Sequence, residues 1–130
     1  MKLIDKQLLD DVSRQAQKSD RLRMNYNFHQ SLDDKCHRFL NAVEPGTKVE
    51  IHRHPTKDES FVLLRGRVRV NTYNDDGTVL ESIVLFQRKD SMGWIFPRAF
   101  GIMWNPWSPG VSSLNARKDR LCHMREKGSL

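Results

Sequence analysis

At 130 residues the chain has the length of one domain, and 38% hydrophobic with 29% charged residues is the composition of an ordinary soluble globular protein. No run of about 18 apolar residues is present, which excludes a membrane-spanning helix, and the acids in "MKLIDKQLLDDV" stand where a secretory signal needs an apolar core. A net charge of +6 invites a nucleic-acid reading, but residues 98–130 hold six of the 22 Lys/Arg and two of the 16 Asp/Glu, so the basicity belongs largely to the tail.

Taken in chain order, Leu3, Ile4, Leu8, Leu9, Val12 and Ala16 recur at three- and four-residue spacing, which predicts an amphipathic helix over about residues 4–18. Its apolar face is read as core or homodimer packing. "SDRLRMNYNFHQSLDD" is polar and reads as an ordered loop, "CHRFLNAV" has strand length, and "EPGT" is a turn. The runs "KVEIHRH", "SFVLLRG", "RVRVNTY" and "VLESIVLF" are β-rich, and "NDDGT" is a hairpin turn. "MGWIF" makes one more short strand. Short strands at close spacing behind a helix predict a mainly β sandwich or barrel. Cys36 and Cys122 make no disulfide framework and read as reduced thiols, which fits a cytoplasmic protein.

The segment "GTKVEIHRHPTKDESFVLLRG" carries the chemistry. Side chains alternate along a strand, so His52 and His54 share a face. Glu59 opens the next run, and a hairpin pairing of the two runs would return it beside the imidazoles. Two imidazoles and a carboxylate suit Zn, Fe, Mn or Ni and leave positions open for water or a ligand. An H-x-H pair alone is more often a polar strand face than a metal site. The full spacing is more specific: Gly46, five residues, His52-x-His54, four residues, Glu59, six residues, Gly66. It matches the first motif of the cupins in every term.

The resemblance extends over about residues 1–97. Arg23, Asn25, Asn27 and His29, then Arg38, Asn41 and Ala42, then "EPGT" and "HRHP", resemble the WbuC-type cupin-fold metalloproteins, small bacterial cupins found in O-antigen gene clusters. This resemblance implies a double-stranded β-helix barrel, jelly-roll-like, behind an N-terminal α-helix. It also implies one divalent metal held by His52, His54 and Glu59, and a link to surface polysaccharide or nucleotide-sugar metabolism.

The pattern breaks at Pro97. Cupins carry a second motif, close to P-x-G-x-x-H, whose histidine is usually the remaining ligand; here "RAFGIMW" follows Pro97. Residues 98–130 show no sustained alternation. Read from the third base of the Pro97 codon, degenerate codons for the tail permit "PGIWHN", an apolar run and a later K-x-G-P pattern, with no stop forced. The expectation is therefore a domain over 1–97 and a basic, irregular, frameshift-derived tail over 98–130. Such a tail would leave the barrel incomplete at its C-terminal side and the metal weakly held.

Other side chains carry weaker signals. Asn27, His29 and Arg38 are candidates for binding a sugar-like or anionic ligand, against a structural role tying the N-terminal loop to the barrel. Arg65, Arg67 and Arg69 alternate and read as a solvated strand face. Cys122 and His123 are weak candidates for replacement ligands. No residue stands out as a general acid or base, so the alternative to a metal-dependent enzyme is a small-molecule-binding or sensing cupin with a vestigial metal site. No nucleic-acid or membrane partner is expected.

Overall fold

A computed structural model describes residues 2–54 and 58–86, together with the backbone of strands at 93–96, 101–106, 111–118 and 128–129. The helix, α1, spans Lys6–Lys18. It starts later than the apolar spacing predicts because Asp5 takes the cap position. The Asp5 carboxylate accepts from the Leu8 N–H at 2.9 Å, satisfying one of the amides that an N-terminus leaves open. Leu3 and Ile4 fall outside the helix and are exposed. No helix among the described residues is long and apolar enough to cross a membrane.

Among the described residues ten strands follow: β1 Arg23–Asn27, β2 Cys36–Val43, β3 His52–Arg53, β4 Glu59–Arg65, β5 Arg67–Tyr73, β6 Val79–Phe86, β7 Gly93–Phe96, β8 Gly101–Pro106, β9 Val111–Lys118 and β10 Gly128–Ser129. They form two antiparallel five-stranded sheets, ordered β1-β2-β9-β4-β7 and β10-β3-β8-β5-β6. Chain-consecutive strands β3, β4 and β5 alternate between the sheets, which is the double-stranded β-helix layout, jelly-roll-like and incompletely closed. The strand β1 lies in the segment expected to be a loop. Strands β8 and β9 lie in the segment whose sequence lacks alternation, and each occupies the middle of a sheet.

The two faces of the first sheet do different work. Leu40 and Ala42 of β2 meet Val12 and Ala16 of α1, with Leu8, Leu9, Met24, Tyr26, Phe28 and Leu64 around them. The helix therefore covers the outer face. The inner face carries Val43, Phe61 and Leu63, which pack against Val68, Val70 and Leu85 of the second sheet. Fully burying side chains of this size contributes about 1.5–3 kcal/mol each, so this inner cluster holds the sheets together. Arg65 adds a polar tie: its Nη1 donates to Asp10 of α1 at 2.6 Å, while Lys6 Nζ reaches the other oxygen of the same carboxylate at 2.6 Å.

Glycines set the corners. In "EPGT" the Thr47 N–H donates to the Glu44 carbonyl at 3.1 Å, and Gly46 has a φ of +92°. Pro at the second and Gly at the third position is the chemistry of a type II turn. Gly66, at φ +85°, turns the chain from β4 in one sheet to β5 in the other. That break separates Arg65 from Arg67 and Arg69, so the three arginines do not share one strand face. Arg67 instead lies 5.9 Å from the Phe86 ring centre. "NDDGT" makes the expected β5–β6 hairpin, with the Gly77 N–H bonded to Asn74 and the Asn74 N–H to Thr78.

Candidate functional site

The inner walls of the barrel are apolar toward the Gly66 corner and polar away from it. Strand β4 alternates Glu59, Phe61 and Leu63 on the buried face, while Val62 between them is 45% exposed. Strand β5 alternates Val68, Val70 and Thr72 on its buried face. Because β4 runs toward Gly66 and β5 away from it, Glu59 and Thr72 fall at the same end of the barrel. His52 joins them there: it pairs with Ile102, which pairs with Thr72, and cross-strand partners share a face.

His52, His54 and Glu59 are neighbours, by a different route from the one expected. Their strands do not pair as a hairpin: β3 lies in one sheet and β4 in the other. Even so, His54 Nε2 lies 3.4 Å from Glu59 Oε2. Glu59 is buried, at 4% exposure. The His52 and His54 rings lie edge to face, 5.3 Å between centres. His52 Nδ1 is 3.0 Å from the Glu50 carbonyl, to which it can only donate; that bond favours the tautomer whose lone pair is on Nε2. Metal-ligating histidines commonly donate their other N–H in this way. Arg53, between them, turns to the other face and pairs with Asp75 at 3.1 Å.

One atom here is out of balance. His54 Nε2 is buried and has no hydrogen-bond partner among the described residues, its approach to Glu59 being too poorly aligned for one. Buried polar atoms are rarely left so, because each costs about 1–3 kcal/mol. The donor chemistry of two imidazoles and a buried carboxylate fits a divalent transition-metal ion. Among the described residues, however, no three His, Cys, Asp or Glu side chains close into a group that would hold one. Residues 97–100, where a second motif would begin, lie outside the described residues, as do Cys122 and His123.

The second candidate group is dispersed. His29 is buried, its Nδ1 accepts from the Arg38 backbone N–H at 3.1 Å, and its ring stacks on His37 with centres 4.2 Å apart. Its neighbour His37 is held through Nε2 to the Leu32 carbonyl at 2.9 Å. Asn27 pairs in register with Phe39 and is exposed. Arg38 falls between His37 and Phe39, so its exposed side chain lies on the opposite sheet face from theirs and from Asn27. The structure brings His29 to the Arg38 backbone and leaves the Arg38 side chain and Asn27 on separate faces. Sequence reading missed His37 and Thr72. The signal for Thr72 was present in "RVRVNTY", where it is the hydroxyl at the end of an otherwise apolar row of Val68 and Val70.

Residues 4–85 match the family model of a domain of unknown function, DUF6016. No curated protein matches the chain. Solved structures with the same fold include CapF, a capsular polysaccharide assembling protein of Staphylococcus aureus, 16% identical over 84% of this chain and 29% of that one, with a TM-score of 0.64. Oxalate decarboxylase of Bacillus subtilis is 15% identical over 83% of this chain and 27% of that one, with a TM-score of 0.60. A protein of Acidithiobacillus ferrooxidans named as a sugar phosphate isomerase is 17% identical over 75% and 60%, also with a TM-score of 0.60. The chain spans 60% or less of the length of each. At these identities the likeness speaks for the fold, and the fold is that of the cupins. On the match over residues 4–85, the chain belongs to the DUF6016 family, with a cupin barrel behind an N-terminal helix.

Proposed function

We propose that this protein is a metal-binding cupin of the WbuC type that takes a small oxygen-rich molecule, a sugar or nucleotide-sugar, at the polar end of its barrel. The observation that carries the reading is the buried His54 Nε2, without a hydrogen-bond partner among the described residues and 3.4 Å from the buried Glu59 carboxylate. His54, Glu59 and His52 would hold one divalent ion, with His52 drawn in on the nitrogen opposite its bond to Glu50. When bound, such an ion supplies Lewis-acid polarisation of a ligand oxygen. Glu59 supplies the charge that offsets the ion, and the apolar walls at Phe61 and Val70 restrict water beneath it.

The fold's company supports a small-molecule role. Bacillus subtilis oxalate decarboxylase has Mn(II) centres, and CapF assembles capsular polysaccharide. The division of the chain is part of the proposal: residues 1–97 form the ancestral barrel segment, and residues 98–130 are read in a shifted frame, with the second-motif histidine lost. A three-donor site is weaker than a four-donor one, so the ion is readily stripped.

Metal analysis of the purified full chain tests this. About one Zn, Fe, Mn or Ni per chain is expected after dialysis against that metal, falling to background in His54→Ala and His52→Ala. Equal metal content in wild type and both variants sinks the assignment. Turnover of a nucleotide-sugar panel, dependent on the metal, then separates an enzyme from a binding or sensing cupin whose metal site is vestigial. The absence of the second-motif histidine favours the latter.

A further inference from the structure

The outermost strand of a sheet keeps one side of its backbone unpaired, which makes it a template for another chain. Among the described residues four strands hold such positions: β1 and β7 in the first sheet, β10 and β6 in the second. Strands β7 and β10 have four and two residues, and the exposed members of β1 are Asn25 and Asn27. Short or polar edges of this kind discourage pairing. Strand β6 is different. It has eight residues, pairs only with β5 among the described strands, and is exposed over residues 79–82. Val79 and Leu80 are 53% and 51% exposed, Ile83, Val84 and Phe86 are half-buried, and Glu81 is the only charge in "VLESIVLF". Thr72 pairs with Glu81 and Tyr73 with Val79, so Leu80 is a bulge confined to the hairpin end, and residues 81–86 form a regular edge.

The charges flanking this edge select its occupant. Asp75 and Asp76 lie in the turn before β6, and Asp75 keeps 91% of its side chain exposed beside Arg53. Arg88 and Lys89 follow β6 in the sequence, ahead of a single Asp90. The strand is thus acidic before its start and basic past its end. A second β6 laid parallel would set like flanks together, whereas an antiparallel one sets each acidic flank against a basic one. Two identical strands pair antiparallel about a two-fold axis perpendicular to the sheet, which keeps both inner faces on one side and puts the centre on a single residue. A centre at Glu81 would oppose two carboxylates. A centre at Ile83 lies within the regular edge. There each Ile83 faces its counterpart, Ser82 faces the partner's Val84, and Leu80 faces the partner's Phe86. The apolar face of α1 is no competing surface, because it packs on β2.

We infer that β6 is a homodimerisation edge: two copies of this chain pair β6 with β6, antiparallel about an axis at Ile83, and join their β10-β3-β8-β5-β6 sheets edge to edge. The axis occupies this edge in both copies, so association stops at two. One strand pair of this length buries less than the roughly 1,200 Å² at which stable interfaces begin. The dimer is therefore reversible, with a dissociation constant of about 10–100 μM.

Sedimentation of the full chain tests this. Monomer below about 1 μM and dimer above about 200 μM are expected, with the dimer weakened by added salt. Ser82→Lys sets two ammonium groups near the axis on an exposed position, and it weakens the dimer roughly tenfold while leaving the Tm of the dilute monomer unchanged. The two Ser82 positions are diagonal neighbours, about 7–8 Å apart. A nitroxide on Ser82→Cys, in a chain carrying Cys36→Ser and Cys122→Ser, therefore shows dipolar broadening at dimer concentrations. One on Lys18→Cys, at the exposed end of α1, shows none. A chain that stays monomeric at about 200 μM, an affinity unchanged in Ser82→Lys, broadening at position 18 instead of 82, or association beyond the dimer overturns the inference. Should Ser82→Lys lower the Tm of the monomer, the nitroxide at position 82 decides alone.

Discussion

At the scale of single residues, one carboxylate ties the helix to the barrel. Asp10 accepts from both Lys6 and Arg65, and its pKa is held below the ordinary 3.8, first by the Lys6 hydrogen bond and then by that from Arg65. A lowered carboxylate contributes stability that is complete above its unfolded value and is lost as pH falls through its folded one. Acid unfolding followed by circular dichroism is therefore expected to be shallower below pH 4 in Asp10→Asn than in wild type. The variant should also be slightly less stable at pH 7, the modest effect of an exposed ion pair. Identical acid limbs would show that the pair contributes nothing. The nearness of His54 to Glu59 was legible in the spacing of Gly46, His52, His54, Glu59 and Gly66, while the route that brings them together was not. Thr72 is visible in "RVRVNTY" as the hydroxyl that ends an apolar row, but its place at the same end of the barrel as Glu59 depends on strands that change sheets. The face on which the Arg38 side chain lies was not legible before the strand was placed. Its neighbours His37 and Phe39 are buried, and the alternation of β2 puts it on the other face.

At the scale of elements, turns and amphipathic runs were legible and strand partners were not. The helix followed from its apolar spacing, and Asp5 fixed its start. Strand β1 escaped because "RMNYN" alternates weakly, its apolar members Met24 and Tyr26 packing under α1 while Asn25 and Asn27 stay exposed. The proposed hairpin between the histidines and Glu59 failed for a topological reason: β3 and β4, unlike β5 and β6, lie in different sheets, so they cannot pair along one ladder. The glycines that bracket the motif stand at its turns, outside the β3-to-β4 connection. Gly46 sits at φ +92°, and a Cβ added there would lie 3.4 Å from Leu22 Cδ1. Left-handed backbone costs a non-glycine residue about 1–2 kcal/mol, so Gly46→Ala should lower the unfolding free energy by about that amount, read as a lower urea midpoint at unchanged m-value. Gly77→Ala, also left-handed but with nothing within 4 Å, isolates the backbone cost. A Gly46→Ala chain as stable as wild type would mean that the turn has another low-energy form.

At the scale of the whole molecule, the tail is where sequence and backbone pull apart. Strand β9 runs between β2 and β4, in register from Cys36↔Lys118 to Val43↔Val111 on one side and from Glu59↔Arg117 on the other. Strand β8 likewise separates β3 from β5. Both positions are central in their sheets, where β-branched and apolar residues are favoured, yet "VSSLNARK" and "GIMWNP" show no sustained alternation. The fold requires strands there whatever the residues, because β2 and β4 have no other common neighbour. Truncation after residue 97 is accordingly expected to abolish cooperative unfolding, each sheet having lost its centre. If the shifted-frame proposal is right, restoring one base near the Pro97 codon should do the opposite. The resulting chain would regain an apolar central strand and a second-motif histidine, unfold at higher urea than the present chain, and retain its metal through dialysis. Both changes are needed together. A gain in metal retention without added stability would mean that only the ligand was missing, and no gain in either would mean that the present tail is the native partner of this barrel.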